Sequence, residues 1–137
     1  MVAVTIVALG CWALLAILDW HKKEAIKKIV HDLRIQQLGI AAKRFQAIEV
    51  AYDAGVVPLD NVYIASRDWE ETAYESATTK AERVDALQKH YDRIKTLHDK
   101  TEALAFTSSL GGEYDKICSL KYWELEAKIW LAEEDRK

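Results

Sequence analysis

Four histidines, His21, His31, His90 and His98, are the side chains in this chain with the chemistry to hold a metal or move a proton. On a helix, His90 and His98 stand eight residues apart, about 80° around the axis. Neither has a second ligand three or four residues away except acids such as Asp99 or Glu102. That spacing suits solvated helix histidines better than a metal site, and no metal ligand is assigned. Glu70 and Glu124, 54 residues apart, are the other candidates, as a carboxylate pair that could share a proton. An internal duplication accounts for their spacing equally well, and no catalytic residue is assigned. Glycine-rich phosphate loops, nucleophile elbows and zinc-type cysteine spacings do not occur, so the sequence implies no cofactor and a protein that is not an enzyme.

Aromatic residues offer a different chemistry, that of contact. Tyr114, Tyr122, Trp123 and Trp130 crowd the last thirty residues. On a helix, Trp123 and Trp130 share a stripe, whereas Tyr122 is turned about 100° away. A small bundle buries one such stripe, and aromatics left outside it make interface anchors. Tyr114, Tyr122 and Trp130 are the expected partner-binding residues. Behind them the acidic Glu133, Glu134 and Asp135 would keep the end of the chain soluble.

The elements that must position these residues are helices. From Trp20 to Asp53 only the tolerable Gly39 interrupts helix-forming sequence, and Ile26, Ile29, Val30, Leu33, Phe45, Ile48 and Tyr52 recur at helical spacings. Ala54-Gly55 reads as a helix stop and Pro58 suits the start of a second helix over Leu59 to Ser76. Thr79 with Glu82 forms a capping box for a third helix, whose inner face reads Val84, Leu87, Tyr91, Ile94, Leu97, Thr101, Leu104 and Ala105. The run Ser108 to Gly112 ends it, and a fourth helix begins at Glu113. No segment alternates like a half-buried strand.

Sliding the chain by 54 residues places Tyr52 on Phe106, Trp69 on Trp123, Glu70 on Glu124 and Ala73 on Ala127. This predicts two duplicated helical hairpins, over about 41–80 and 95–134, in an elongated antiparallel all-α bundle spanning 21–137. The phrases AYDAGVVPLDNVYIASRDWEETAYESA and KAERVDALQKHYDRIKTLHDKTEALAF, with a weaker echo of the first, resemble the α-helical repeat of TolC-type outer-membrane efflux proteins and of short exported bacterial proteins with the same repeat. The likeness covers residues 41–132. It rests on the alanine-glycine helix stop, the short turn and a helix with leucine and alanine on its inner face. It implies helical hairpins and, as an alternative function, a component or adaptor of a TolC-like transport system.

The first eighteen residues, MVAVTIVALGCWALLAIL, contain no charged side chain. As a helix they would reach about 27 Å, close to the roughly 30 Å hydrocarbon core of a bilayer. A cleaved signal peptide would want a basic lead-in, so residues 1–20 read as a single transmembrane anchor, with Trp12 and Leu15 in the apolar layer and Trp20 at its edge. Residues 21–45 carry seven Lys/Arg against two acids, and Lys22, Lys23, Lys27 and Lys28 lie where lipid head groups would meet them. Residues 46–137 carry twelve against nineteen, a balance that repels nucleic acid. Cys11 in the anchor and Cys118 near the C-terminus cannot pair with each other.

The sequence therefore predicts a non-catalytic structural or accessory subunit of the inner membrane, with lipid and other integral membrane subunits as partners. The lysines after the anchor put the helical domain in the cytoplasm by the positive-inside rule, whereas the resemblance to exported proteins argues for the opposite side.

Overall fold

A computed structural model describes the backbone of residues 2–105 and 113–137 and the side chains of residues 16–105 and 114–137. The described residues form four helices and no strand: α1 (Val2–Asp53), α2 (Leu59–Ser76), α3 (Lys80–Ala105) and α4 (Glu113–Arg136). The chain divides into two units, one up to Ile35 and one from Gln36 to Lys137.

In the first unit the described side chains are exposed, including Ile17, Leu18, Trp20, Ile26, Ile29, Val30 and Leu33. Among the described residues no helix is long and apolar enough to cross a membrane. The expected anchor falls largely on residues 1–15, so Trp12 and Leu15 lie outside the described side chains.

The second unit is an antiparallel four-helix arrangement whose turns follow from local chemistry. Gly55, at φ +71°, takes the left-handed conformation that lets the Gly55 amide donate to the Tyr52 carbonyl and the Val56 amide to that of Ala51, both at 2.8 Å. These two bonds satisfy carbonyls that the end of α1 would leave open. At the start of α3 the capping box forms as the sequence predicts. The Glu82 amide donates to Thr79 Oγ1 (3.2 Å), and Glu82 Oε2 accepts from the amides of Thr78 (2.7 Å) and Thr79 (3.0 Å). Those bonds hold the Glu82 carboxyl below its ordinary range.

Cross-helix pairs give the topology. Phe45 of α1 meets Trp69 of α2 (ring centroids 5.6 Å), and Ser66 of α2 meets His90 of α3. His98 of α3 meets Glu124 of α4, and Arg83 meets Glu134. Tyr63 and Tyr74 of α2 bond Glu126 and Glu134 of α4 in the same order along both helices, so α2 and α4 run parallel and α3 runs against both. The core joins Phe45, Leu59, Val62, Ala65, Leu97 and Leu120, with Ile48, Tyr52, Trp69 and Trp123 packed against it. Trp69 and Trp123, which the 54-residue offset aligns, are both half-buried on this one cluster.

Two expectations for α3 are corrected. Leu104 is exposed, and His90 and His98 are buried rather than solvated. The inner face of α3 runs through Ala86, Leu87, His90, Ile94, Leu97, His98 and Thr101. Val84, Tyr91 and Ala105 lie at its margin, half-buried. The histidines occupy core positions because each finds a polar partner on a neighbouring helix.

Candidate functional site

α4 turns one side into the core and carries apolar groups on the opposite side, and this makes its outer side the candidate site. Inward it buries Leu120, Glu124, Ala127 and Glu134. Outward, Tyr114, Cys118, Tyr122, Leu125 and Ile129 are all exposed. Their spacings of four, four, three and four residues place them on one stripe, an arc of about 80° over about 22 Å of helix. An amphipathic helix on a bundle surface would put charge there. Instead a row of large apolar groups faces water, with Lys121 and Lys128 beside it leaning back toward Glu124 at 3.3 and 3.8 Å.

The three expected partner-binding residues divide across the helix. Tyr114 and Tyr122 stand on the outer stripe, 74% and 66% exposed. Trp130 turns inward and is half-buried, its ring stacked on His90 at 5.9 Å with the Arg67 guanidinium over it at 4.9 Å. Cys118, Leu125 and Ile129 were not among the expected contacts. The spacing from Tyr114 and Tyr122 contains the signal for them, since all five fall on one helical line.

Around Trp130 lies a buried polar network that the sequence concealed. Ser66 Oγ and His90 Nδ1 are 3.0 Å apart, and Arg93 donates from Nε to the same Oγ at 2.9 Å and from Nη2 to the Ser66 carbonyl at 3.2 Å. Accepting from Arg93 leaves the Ser66 hydroxyl a hydrogen and a second lone pair to offer His90 Nδ1, and His90 Nε2 is buried with no hydrogen-bond partner among the described residues. Burial, with the positive Arg93 nearby, pushes the His90 pKa down to about 4 and keeps the ring neutral. The pairing has the spacing of a nucleophile and its base. Ser66 is 0% exposed, however, so no substrate reaches the hydroxyl, and the network serves to hold α2 against α3. Arg93 completes that clamp by lying 4.2 Å over the Trp69 ring.

The two carboxylates that might have formed a dyad have different surroundings. Glu124 Oε2 is 2.9 Å from His98 Nδ1 and accepts from Lys121. Glu70 is also buried, yet it makes no hydrogen bond or ion pair among the described residues. Among the described residues no cluster of histidine, cysteine and carboxylate side chains could hold a metal. Tyr63 stacks on Trp123 at 4.2 Å and donates its hydroxyl to Glu126, and burial with that bond pushes its pKa up to about 12.

The expected head-group residues, Lys22, Lys23, Lys27 and Lys28, are exposed on α1. Lys23 pairs with Asp19 and Lys27 with Glu24, both at 2.7 Å, and Trp20 is exposed with its ring edge-on to His21 at 4.9 Å. Compared with known protein families, curated proteins and solved structures, the chain matches none.

Proposed function

We propose that this protein is a non-catalytic accessory subunit of a membrane protein assembly, held at the bilayer by its N-terminal segment and docked to a partner subunit through the outer stripe of α4. The observation that carries this reading is the row Tyr114, Cys118, Tyr122, Leu125 and Ile129, exposed along one side of a helix whose other side already fills the core. Aromatic and aliphatic groups arranged in this way are the anchors that helix-to-helix contacts use.

The anchor rests on the uncharged run Met1 to Leu18 and on the exposed Trp20 and lysines that follow it. By the positive-inside rule those lysines favour an inner-membrane protein with its helical unit in the cytoplasm. The alternative, a component of a TolC-like transport system, is supported by the hairpin architecture and by the likeness of the repeat phrases.

Co-purification tests the proposal. The full chain, tagged after Lys137 and extracted in mild detergent, should bring down integral membrane subunits in fixed stoichiometry. A Tyr122→Ala, Leu125→Ala double variant changes only exposed side chains, so its circular dichroism should match the parent. Anchors at the centre of an interface are worth about 2 kcal/mol or more each, so association should weaken about 30-fold for the loss of one and about 1,000-fold for the loss of both. Undiminished retention would place the docking surface elsewhere. Recovery of efflux components would favour the transport alternative, and absence of any membrane partner from the parent protein would overturn the assembly reading altogether.

A further inference from the structure

A cleft of about 270 Å³ opens between α2 and α4, floored by Leu87 of α3, and two carboxylates nearly withdrawn from water line it. They are Glu134, 2% exposed, and Glu70, 8% exposed. Glu134 is saturated. It accepts from the Tyr74 hydroxyl at 2.8 Å, from Arg83 Nε at 2.7 Å and from Lys137 Nζ at 3.0 Å. Those donors hold its pKa down at about 2.

Glu70 has no such set. The two guanidinium groups whose charge it feels are engaged elsewhere, Arg67 over the Trp130 ring and Arg93 on Ser66 and over Trp69. Burial accordingly raises its pKa, as expected for an acid whose charged form lacks donors. Its oxygens reach the cleft and meet no protein donor among the described residues, so the cleft is where a donor from outside can meet them.

We propose that this cleft binds a short aliphatic diamine, one primary ammonium donating to the Glu70 carboxylate and the other lying at the rim beside the exposed Glu71 and Glu133. The lining selects this class. Leu87 and the edge of Trp130 offer apolar surface for methylenes. The π surface of Trp130 is already taken by Arg67 at 4.9 Å and His90 at 5.9 Å, which disfavours a quaternary ammonium seated on an aromatic face. A divalent metal would want several oxygen ligands, and Glu70 is the one buried carboxylate here without donors. An anion would meet four carboxylates, with Lys137 already spent on Glu134 and Arg67 on the Trp130 ring. The site is separate from the outer stripe of α4, so it stands or falls independently of the docking reading.

Calorimetric titration of the full chain in mild detergent with 1,4-diaminobutane, at neutral pH and low salt, tests it. The parent protein should show saturable one-to-one binding, and Glu70→Gln should weaken it at least tenfold. Because that substitution keeps the shape of the side chain and removes a charge that burial disfavours, the variant should fold. Independently, Glu133→Gln, a change on the exposed rim, should weaken diaminobutane several-fold while leaving n-butylamine unaffected. Absence of saturable binding to the parent, equal binding by Glu70→Gln, or equal binding of tetramethylammonium would overturn the proposal.

Discussion

The tryptophan-glutamate pair of α2 and the one of α4 are the same two residues at a 54-residue offset, and the protein treats them alike in one respect and oppositely in another. Trp69 and Trp123 pack on one shared core cluster, and Glu70 and Glu124 are both buried beside them. Glu124 has His98 at 2.9 Å and Lys121 at 3.3 Å, whereas Glu70 has no hydrogen-bond or ion-pair partner among the described residues. One turn earlier, Leu120 fills its place with hydrocarbon, and Ser66, at the same offset, fills its own with a hydroxyl bonded to α3. A repeated helical pattern therefore sets depth, because depth depends on which face of a helix a residue occupies. It does not set polarity balance, because the partners come from α3, which presents different side chains to its two neighbours.

The largest effect should come from what the two regions share. Truncating Trp69 or Trp123 to alanine removes a ring from the common cluster, and each should cost about 3–5 kcal/mol in denaturant unfolding. A cost confined to one of them would mean that the core is built around one hairpin and that the correspondence of the two positions is superficial.

A somewhat smaller effect sharpens the contrast between the two buried histidines. His90 titrates near 6.5 in an unfolded chain and at about 4 in the folded one, so below pH 6.5 the unfolded state takes up a proton that the folded state refuses. The stability due to this group is complete above pH 6.5 and drains away as pH falls toward 4. The loss by pH 4 amounts to about 3 kcal/mol, given 1.36 kcal/mol per pKa unit. Unfolding free energies measured across that window should fall more steeply for the parent than for His90→Asn. Equal slopes would show that His90 is protonated in place, with the Ser66 hydroxyl then accepting from Nδ1.

How far the sequence revealed this arrangement depends on which physical signal each feature leaves. The helix stop at Gly55, the capping box of Thr79 and Glu82, and the number and order of helices are local, and they were legible because the residues that make them are neighbours in sequence. The burial of His90 and His98 was not. Both lie at three- and four-residue steps from Leu87, Ile94 and Thr101, so the helical line pointed to them, but a histidine is admitted to a core only if another helix supplies Ser66 or Glu124. That information is nonlocal. The outer stripe of α4 stood between these cases. Aromatics on more than one face were visible, but Trp130 turned inward because His90 and Arg67 made a place for it, and Cys118, Leu125 and Ile129 completed the stripe in its stead. The inward turn of Leu87 was legible in its spacing, but its meeting with Glu70 and Glu134 at one cleft was not, because those carboxylates come from two other helices.

The smallest effects should separate the two carboxylates by sign. Glu124→Gln keeps the shape of the side chain but discharges the partner of His98 and Lys121, and it should destabilise the protein by about 1–3 kcal/mol. Glu70→Gln discharges a group that burial already disfavours as an anion, and it should leave stability unchanged or raise it by less than about 1 kcal/mol at neutral pH. Linkage makes the second effect dependent on pH. The folded pKa of Glu70 lies above its ordinary value, so the folded state holds the proton more tightly, and the parent loses stability as pH rises from about 4.5 through that higher folded value. The advantage of Glu70→Gln over the parent should thus shrink on acidification and vanish where Glu70 is protonated in both states. A glutamine at position 70 that destabilised the protein as much as one at position 124 would mean that Glu70 draws a donor from Arg67 or Arg93 in solution, and the contrast between the two regions would close.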